Sequence, residues 1–457
     1  MKKIFGLLSI AGCALALASC GGTKANFEVP AEGFDENTPV TITFWHTMGQ
    51  NIRDVLDEVI VEFNELYPNI TVDHQQIGGY DDVRDQIITN MNTGNYPNLA
   101  YCYPDHVAIY NEAAITVSLD NLIENNEYGL GGSALKFEGP VYEDYVKAFF
   151  DEGKEFGDEL QYTMPFLKST EALFYNKTFF DQHNLTVPTT WDEMWATCAK
   201  IKEIDPNSTP LGYDSEGNFF ITLAETYGYG YTSYQSFDFN NDGMKALMKE
   251  FKGHYDKGYF TTQSLYGAYT NSLMTDVNAP SRAYMCIGST AGATYQVNSD
   301  GAFETGVASV PKAANGTAKS ISQGPSLVLL KNDNAQSVLA TWIFTQFLNT
   351  PTVQARFALA TGYLPVTTPA TEIDVYQNFL NKAAGNKAGI AALSTKQAIA
   401  QKDNYFTSAV FVGSSTARDE VGSLIVKIMS DTSGNIDAAI DSYFEAAIKE
   451  CRYQSGL

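Results

Sequence analysis

Basic residues are scarce in this chain. Among 457 residues, 29 Lys and Arg stand against 53 Asp and Glu, and the net charge is -24. Proteins that bind nucleic acid need a basic face for the phosphate backbone, so the deficit argues against a nucleic-acid partner. The same deficit disfavours polyanionic ligands. An acidic surface of this kind is typical of a protein that stays soluble among other macromolecules.

Cysteine and histidine are also few, and they are scattered along the chain. The six Cys include no CxxC spacing, and the five His form no pair at helical spacing that could hold a metal ion. The patterns HExxH and GxSxG and the P-loop pattern are missing. The sequence therefore predicts a protein without a metal ion, a cofactor or a recognisable catalytic motif.

Long hydrophobic runs are confined to the N-terminus. MKKIFGLLSIAGCALALASC opens with two Lys, continues with an apolar run too short for a permanent span, and ends on small residues before Cys20. This pattern predicts a lipoprotein signal peptide over 1–19, a lipid on Cys20 and a flexible tether over 20–37. We expect an extracytoplasmic body held to the membrane by that lipid. An ordinary signal peptide with an incidental cysteine is the alternative.

Aromatic residues are abundant, with 27 Tyr and 27 Phe, and the chain alternates between short strand-like and helix-like segments. VTITFW (40–45) alternates as a strand does, and the apolar residues between 52 and 66 follow helical spacing. A strand over 70–72, a helix near 81–93 and a strand over 99–103 follow. Strand–helix–strand units at this spacing predict an α/β fold with mainly parallel sheets.

Several segments, taken together and in order, resemble family 1 extracellular solute-binding proteins of ABC importers. The resemblance covers nearly all of the chain after the tether and rests on VTITFWHTM (40–48), EFNELYPNITV (62–72), GGYDD (78–82), GNYPNLAYCYPDHVA (94–108), MPFLKSTEALFYNKTFF (164–180), VPTTWDEM (187–194), RAYMCIGSTAG (282–292), GPSLVLL (324–330) and TGYLPV (361–366).

The resemblance implies a type II periplasmic-binding-protein-like fold, in which two hinged α/β lobes enclose a ligand cleft. By analogy, lobe 1 would hold 38–163 and 285–330, and lobe 2 would hold 164–284 and 331–457. Hinges would lie near 160–165, 282–285 and 327–331. The sequence does not reveal whether the cysteines of the mature chain form disulfide bonds.

The resemblance also implies a function without catalysis. A monomer would capture a carbohydrate, close its lobes around it and deliver it to the transmembrane permease subunits of an ABC importer. A glycerol-3-phosphate, glycerophosphodiester or polyol ligand is one alternative. A secreted glycan hydrolase is the alternative of another class, and it would need two suitably spaced carboxyls such as Asp105 and Glu171.

Candidate ligand-binding residues are those that supply what a sugar needs, namely hydrogen-bonding groups around its hydroxyls and aromatic faces for its C–H surfaces. Most follow strand ends, where open α/β sheets bind ligands. The candidates are Trp45, His46, Tyr80, Asp105, Ser169, Glu171, Asp214, Phe219, Ser289, Thr290, Gly324, Ser326, Tyr363, Phe411 and Arg418.

Each candidate also has an ordinary structural interpretation. Asp105 could begin a helix, and His46 and the aromatic candidates could belong to the core or anchor loops. By resemblance, Phe411 stands where glycerophosphate-binding relatives carry a phosphate-binding arginine, which favours a sugar over a phosphate. Arg418 lies close by in sequence and could replace that arginine.

Overall fold

The computed structural model describes residues 25–383 and 385–457. The predicted signal peptide and the lipidation site Cys20 lie outside these residues. No helix in the described part of the chain is long and apolar enough to cross a bilayer. The predicted tether is corrected in its second half. Asn26 and Ser118 exchange hydrogen bonds, so this segment is fixed to the folded body. Phe27 and Phe34 pack against the hydrophobic core of the first main sheet, because burying their rings removes apolar surface from water.

The strands of the described residues are short and fall into two main sheets and two small ones. In chain order they are β1 (Val40–His46), β2 (Ile70–Gln76), β3 (Leu99–Cys102), β4 (Thr163–Pro165), β5 (Glu171–Asn176), β6 (Leu211–Tyr213), β7 (Thr232–Ser233), β8 (Ser236–Phe237), β9 (Phe260–Thr262), β10 (Met285–Ser289), β11 (Thr305–Ala308), β12 (Ser320–Ile321), β13 (Ser326–Leu329) and β14 (Tyr405–Phe406).

The helices cover the faces of the two main sheets. They are α1 (Gln50–Leu66), α2 (Tyr80–Asn90), α3 (Pro104–Glu112), α4 (Asp120–Ile123), α5 (Lys147–Asp151), α6 (Lys177–His183), α7 (Trp191–Ile204), α8 (Glu216–Tyr227), α9 (Asp242–Asp256), α10 (Gln263–Tyr266), α11 (Asn271–Thr275), α12 (Ala335–Leu348), α13 (Pro351–Thr361), α14 (Thr368–Glu372), α15 (Asp374–Leu380), α16 (Lys387–Ala400), α17 (Ser414–Met429) and α18 (Ile436–Ser455).

Each main sheet has five strands and is mixed. The first has the order β2-β1-β3-β13-β4, and the second has the order β11-β5-β10-β6-β9. β1 is parallel to β2 and β3, but β13 is antiparallel to both of its neighbours. β10 is parallel to β6 and antiparallel to β5. The α/β class is confirmed, and the expectation of mainly parallel sheets is wrong, because strands that return from the other lobe pair in the opposite direction.

Two separate hydrophobic cores make the two lobes. Phe44 and Phe63 belong to the core of the first sheet, and α1 contributes its predicted apolar stripe to it. Trp191 and Phe219 belong to the core of the second sheet. α7 packs into the second core, and its N-terminus carries the predicted capping box between Thr190 and Glu193. The two-lobed architecture is confirmed.

The predicted lobe boundaries need correction at their C-terminal parts. β10 and β11 pair with β5 in the second sheet, so 285–321 belongs to the second lobe and not to the first. α12 and α13 supply Trp342 and Phe357 to the first core, so 326–366 belongs to the first lobe. The helices from α16 onward pack on the second lobe. The boundaries implied by the resemblance misplaced these segments, because they put the later crossings between the lobes at other positions in the chain.

Two of the crossing segments lie side by side between the sheets. Residues 166–170 connect β4 to β5, and residues 322–325 connect β12 to β13. Ser169 and Gln323 exchange backbone hydrogen bonds of 2.8 and 3.0 Å. The predicted hinges at 160–165 and 327–331 are therefore displaced, because those residues lie within or beside strands of the first sheet. The predicted hinge at 282–285 leads into β10, inside the second lobe.

Candidate functional site

A cavity of about 680 Å³ lies between the two lobes. The first lobe contributes the N-terminal turns of α2 and α3, and the second contributes the N-terminal turns of α8 and α17 together with the loop 407–410. The crossing segment 322–324 forms its base. Four of the predicted ligand residues line it, namely Tyr80, Asp105, Gly324 and Arg418.

Aromatic rings form the wall of the first lobe. Tyr80 begins α2 after a Gly-Gly turn, and Tyr103 precedes Pro104, which begins α3. The two ring centroids are 4.5 Å apart. Tyr363, a predicted ligand residue, lies behind this wall beside Tyr80 and is not among the residues that line the cavity. Burial raises the pKa of Tyr363, although Tyr80 partly opposes that rise. The rings remain neutral and present apolar faces with hydroxyl groups, which suits the C–H surfaces of a sugar.

Arg418 is the cation of the second-lobe wall, and it is oriented by Asn218. The guanidinium donates a hydrogen bond to Asn218 Oδ1. Asn218 Nδ2 in turn donates to Glu171 Oε1 at 3.1 Å and to Gln323 Oε1 at 2.9 Å. This chain of hydrogen bonds joins the second lobe to the crossing segment.

Glu171 lies behind this wall and does not reach the cavity. It accepts a hydrogen bond of 2.6 Å from the hydroxyl of Tyr213. Burial raises the pKa of Glu171 to about 7, although its hydrogen bonds with Tyr213 and Asn218 oppose the rise. Glu171 therefore holds Asn218, which holds Arg418, and it acts on a ligand only through them.

Carboxylates outnumber cations around the cavity. Asp81 and Asp105 line the first-lobe wall, Asp419 lines the second-lobe wall, and Glu152 lies at the base. Desolvation, followed by the charges of Asp81 and Asp105, raises the pKa of Asp419. A carboxylate accepts hydrogen bonds from hydroxyl groups well, and it repels an anion.

The base of the cavity contains a buried ion pair. The Lys168 ammonium contacts Glu152 Oε2 and donates to the carbonyl of Gly324 at 3.1 Å. The Lys168 side chain has no exposed surface. Ser326, one of the predicted residues, has its hydroxyl 3.4 Å from Glu152 and is buried behind the base. Ser169, also predicted, is buried in the crossing segment next to Lys168.

The remaining predicted residues lie away from the cavity. Trp45 packs on the first sheet, and His46 is buried against His74. Phe219 stacks on Tyr213 in the second core, which leaves it no exposed surface. Phe411 is buried against Phe237 and borders a different, smaller cavity. These positions correct the predictions, because none of the four side chains lines the cavity between the lobes.

Three further predictions fall on residues that stabilise the second lobe. Asp214 accepts hydrogen bonds of 2.7 Å from the backbone and hydroxyl of Thr270. Ser289 caps the helical turn that follows β10. The hydroxyl of Thr290 accepts from the backbone of Thr170 at 3.1 Å. None of the three lines the cavity.

Several residues that line the cavity are absent from the candidates predicted from the sequence. Tyr103 stands directly before the predicted Asp105, so the rule that ligands bind at strand ends could have found it. No sequence pattern indicated Asn218 or Tyr231. Asn218 lies in a helix and Tyr231 in a loop, and the residues around both are apolar and typical of a core. The loop 407–410 crosses to the first lobe, where Val410 N donates to the carbonyl of Glu155 at 2.6 Å.

Comparisons with known proteins agree with this architecture. Residues 58–384 match the model of a family described as bacterial extracellular solute-binding protein. The sn-glycerol-3-phosphate-binding periplasmic protein UgpB of Salmonella typhimurium is 23% identical over 384 residues, which cover 82% of this chain and 84% of that protein.

Two solved structures share the fold. UgpB from Mycobacterium tuberculosis in complex with glycerophosphocholine superposes with a TM-score of 0.70 at 18% identity, covering 90% of this chain and 98% of that one. The cyclic alpha-maltosyl-1,6-maltose binding protein from Arthrobacter globiformis gives a TM-score of 0.69 at 17% identity, with coverages of 91% and 100%. The family match spans more than half of the chain, and the chain therefore belongs to the bacterial extracellular solute-binding protein family.

Proposed function

We propose that this solute-binding protein captures a neutral, hydroxyl-rich carbohydrate between its lobes and delivers it to the permease subunits of an ABC importer. The observation that carries the proposal is the composition of the cavity wall. Tyr80 and Tyr103 offer aromatic faces, and Asp105, Asn218 and Arg418 offer acceptors and donors around them. This combination matches a sugar, whose surface alternates between hydroxyl groups and C–H patches.

The charge balance of the cavity favours a neutral ligand over a free phosphate monoester. A phosphate needs several cations or a set of free N–H groups. The helix N-terminal turns around the cavity offer N–H groups, but several carboxylates line the same walls and oppose a doubly charged anion. Here Arg418 is already engaged with Asn218 and stands among Asp81, Asp105 and Asp419. Phe411 no longer contributes to this argument, because it lies outside the cavity.

A glycerophosphodiester or polyol is the second candidate. Arg418 is placed to meet a single negative charge, and the names of two similar proteins refer to glycerol-3-phosphate and glycerophosphocholine. A phosphodiester carries one negative charge instead of two, so the surrounding carboxylates oppose it less than they oppose a phosphate monoester.

The finer proposals concern the state of the mature protein. We propose a monomer anchored in the membrane by a lipid on Cys20, because the sequence before Cys20 has the pattern of a lipoprotein signal peptide. Intact-mass measurement of protein purified from a bacterial membrane tests the anchor. A mature chain that begins at Cys20 and carries acyl groups is expected, and an unmodified chain cleaved elsewhere would contradict it.

Isothermal titration calorimetry tests the ligand class. The mature protein is titrated with saccharides, polyols, glycerol-3-phosphate and glycerophosphocholine, and the mixtures are then analysed for products by chromatography. Binding of a saccharide without product is expected. Binding of only the phosphorylated compounds would replace the sugar by the second candidate, and released product would revive the hydrolase alternative.

Matched arginine variants connect the binding to the cavity. Arg418→Ala should weaken binding by roughly ten- to a hundredfold, because a hydrogen bond to a charged group contributes about 1.5–3 kcal/mol. Arg356→Ala is the control, since Arg356 pairs with Glu58 and Glu62 on the outside of the first lobe. Equal affinities of the two variants would place the ligand elsewhere.

A further inference from the structure

We propose that the ligand is an oligosaccharide that leaves the cleft past Arg418 and continues along a second groove on the second lobe. This groove, called here the α17 groove, lies between α17 and the N-terminal turns of α8 and α10. The inference rests on the proposed sugar-binding function and adds to it a second binding region and a minimum ligand length.

The two cavities meet at three side chains. Ser215, Arg418 and Asp419 line both the interlobe cavity and the α17 groove. The guanidinium of Arg418 is held by Asn218, so it stands at a fixed position on the boundary between them. A chain of sugar units that contacts Arg418 in the cleft therefore has an open continuation on the same lobe.

Ser215 has an unusual backbone conformation at this boundary. Its φ and ψ are 113° and 92°, a region that residues with a side chain rarely adopt. Its hydroxyl accepts from the backbone of Asn218 at 3.3 Å and so begins α8. Strained residues of this kind concentrate at functional sites. Here the strain places the first turn of α8, and with it Asn218, at the edge where the two cavities join.

The chemistry of the α17 groove fits carbohydrate better than peptide. Its walls carry hydroxyl, amide and charged groups of both signs, supplied by Ser264, Ser423, Gln263, Glu216, Asp419, Arg418 and Lys427. Val426 is the one large apolar side chain among its lining residues, and no aromatic ring is among them. A peptide would need apolar pockets as anchors. Sugar hydroxyls need small polar partners of this type, and the aromatic faces for the C–H surfaces are supplied in the cleft by Tyr80 and Tyr103, so the groove contributes hydrogen-bonding groups alone.

The sizes of the two cavities also leave room for a long ligand. The α17 groove has a volume of about 640 Å³, and the interlobe cavity has about 680 Å³. Together they exceed the roughly 1,000 Å³ at the upper end of ordinary small-molecule pockets. A monosaccharide would fill only a part of the cleft and would leave the groove empty.

Calorimetric titration with oligosaccharide ladders tests the inference. Gluco-, manno- and xylo-oligosaccharides are used, each from the monosaccharide to the hexasaccharide, with the wild type and two tryptophan variants. Ser423→Trp fills the α17 groove. Ser430→Trp is the control, because Ser430 lies exposed at the C-terminal end of the same helix and outside the groove.

For the ladder that binds, the tetrasaccharide should bind at least about tenfold more tightly than the disaccharide, an effect of one or two net hydrogen bonds. Ser423→Trp should remove that gain and leave disaccharide affinity unchanged, whereas Ser430→Trp should keep the gain. A ladder that binds with an affinity independent of length, or a gain that survives in Ser423→Trp, overturns this inference and leaves the proposed function intact. If no saccharide binds at any length, the proposed function and the inference both fail.

Discussion

His46 Nε2 lies 2.9 Å from His74 Nδ1, in a chain of hydrogen bonds that begins at the backbone and ends at a carboxylate. Met48 N donates to His46 Nδ1 at 3.1 Å, so the proton of a neutral His46 must be on Nε2. That proton is donated to His74 Nδ1, and His74 Nε2 faces Asp57 at 2.8 Å. The arrangement requires His46 to be neutral, because its Nδ1 has no room for a second proton.

Stability should therefore fall in acid through His46. Burial, followed by the charges of His74 and Arg53, lowers the pKa of His46 from 6.5 to about 3. Between these values the unfolded chain binds a proton that the folded chain does not, so the free energy of unfolding decreases as pH falls below 6.5. From pH 8 to pH 5 we expect a loss of about 2 kcal/mol from this group, measured by urea unfolding.

Two histidine variants isolate this contribution. His46→Gln should flatten the dependence of stability on pH by the amount given above, even though it also changes stability at every pH through altered packing. His183→Gln is the matched control, because His183 is exposed on the second lobe. If both variants show the wild-type slope, the hydrogen-bond chain has no role in the response to acid.

Glu171 should respond to pH in the opposite direction. Burial raises its pKa from 4.5 to about 7, so between these values the folded chain binds a proton that the unfolded chain lacks. Its contribution to stability is present below pH 4.5 and is lost as pH rises toward 7. Glu171→Gln should be more stable than the wild type at pH 8, by roughly 3 kcal/mol, and should lose that advantage at pH 4.5.

Thermal and urea unfolding at the two pH values check this prediction. Glu304→Gln serves as the control, since Glu304 is exposed and its removal should leave the pH dependence unchanged. Glu171→Gln being less stable than the wild type at pH 8 would mean that the hydrogen bonds from Tyr213 and Asn218 require a carboxylate.

Local patterns predicted the elements of this fold well, and long-range connections only poorly. The apolar stripe of α1 and the capping box of α7 are encoded by neighbouring residues, so the sequence identifies both. The pairing of β10 with β5 depends on segments more than a hundred residues apart. Spacing carries no information on such pairing, and boundaries taken from a resemblance placed β10 in the wrong lobe.

The candidate site shows the same contrast between what local sequence patterns predict and what depends on the three-dimensional fold. Tyr80, Asp105 and Gly324 lie in motifs that carry the family resemblance, and the rule about strand ends supports Asp105, which follows β3. Phe219 occurs in a stretch that also contains Asn218, and only the orientation of α8 decides which of the two faces the cleft. The helix turns Phe219 into the core and Asn218 toward Arg418. One residue of error along a helix rotates a side chain by about 100°.

The buried pair of Lys168 and Glu152 leads to a prediction about the base of the cleft. Lys168→Met leaves the Glu152 carboxylate buried without its cation, and this should cost about 3–5 kcal/mol of unfolding free energy. Combining it with Glu152→Gln should recover much of the loss, because no uncompensated charge remains. Urea unfolding of the single and double variants measures the coupling.

An exposed ion pair provides the comparison for that cycle. Lys249 and Asp437 lie 2.6 Å apart with both side chains more than half exposed, so Lys249→Met should cost less than about 1 kcal/mol. Similar losses for Lys168→Met and Lys249→Met would show that water reaches the pair at the base of the cleft.

The ring of Tyr234 covers Gly157 where the two lobes touch and should help to keep the lobes together. Tyr234 lies at the tip of the hairpin formed by β7 and β8 on the second lobe, and Gly157 belongs to the first. A Cβ atom added to Gly157 would lie 2.3 Å from the tyrosine ring, and Gly157 has a φ of +81°. Gly157→Ala should therefore displace the hairpin and shift the protein toward a more open form, seen as a larger radius of gyration in small-angle scattering. Gly157→Ala combined with Tyr234→Ala removes the clash but keeps the backbone strain, which is about 1–2 kcal/mol. Without ligand, the double variant should therefore recover the radius of gyration of the wild type. Its stability should remain lower, because the backbone strain at residue 157 persists. An unchanged radius of gyration in Gly157→Ala would mean that the hairpin yields without moving the lobes.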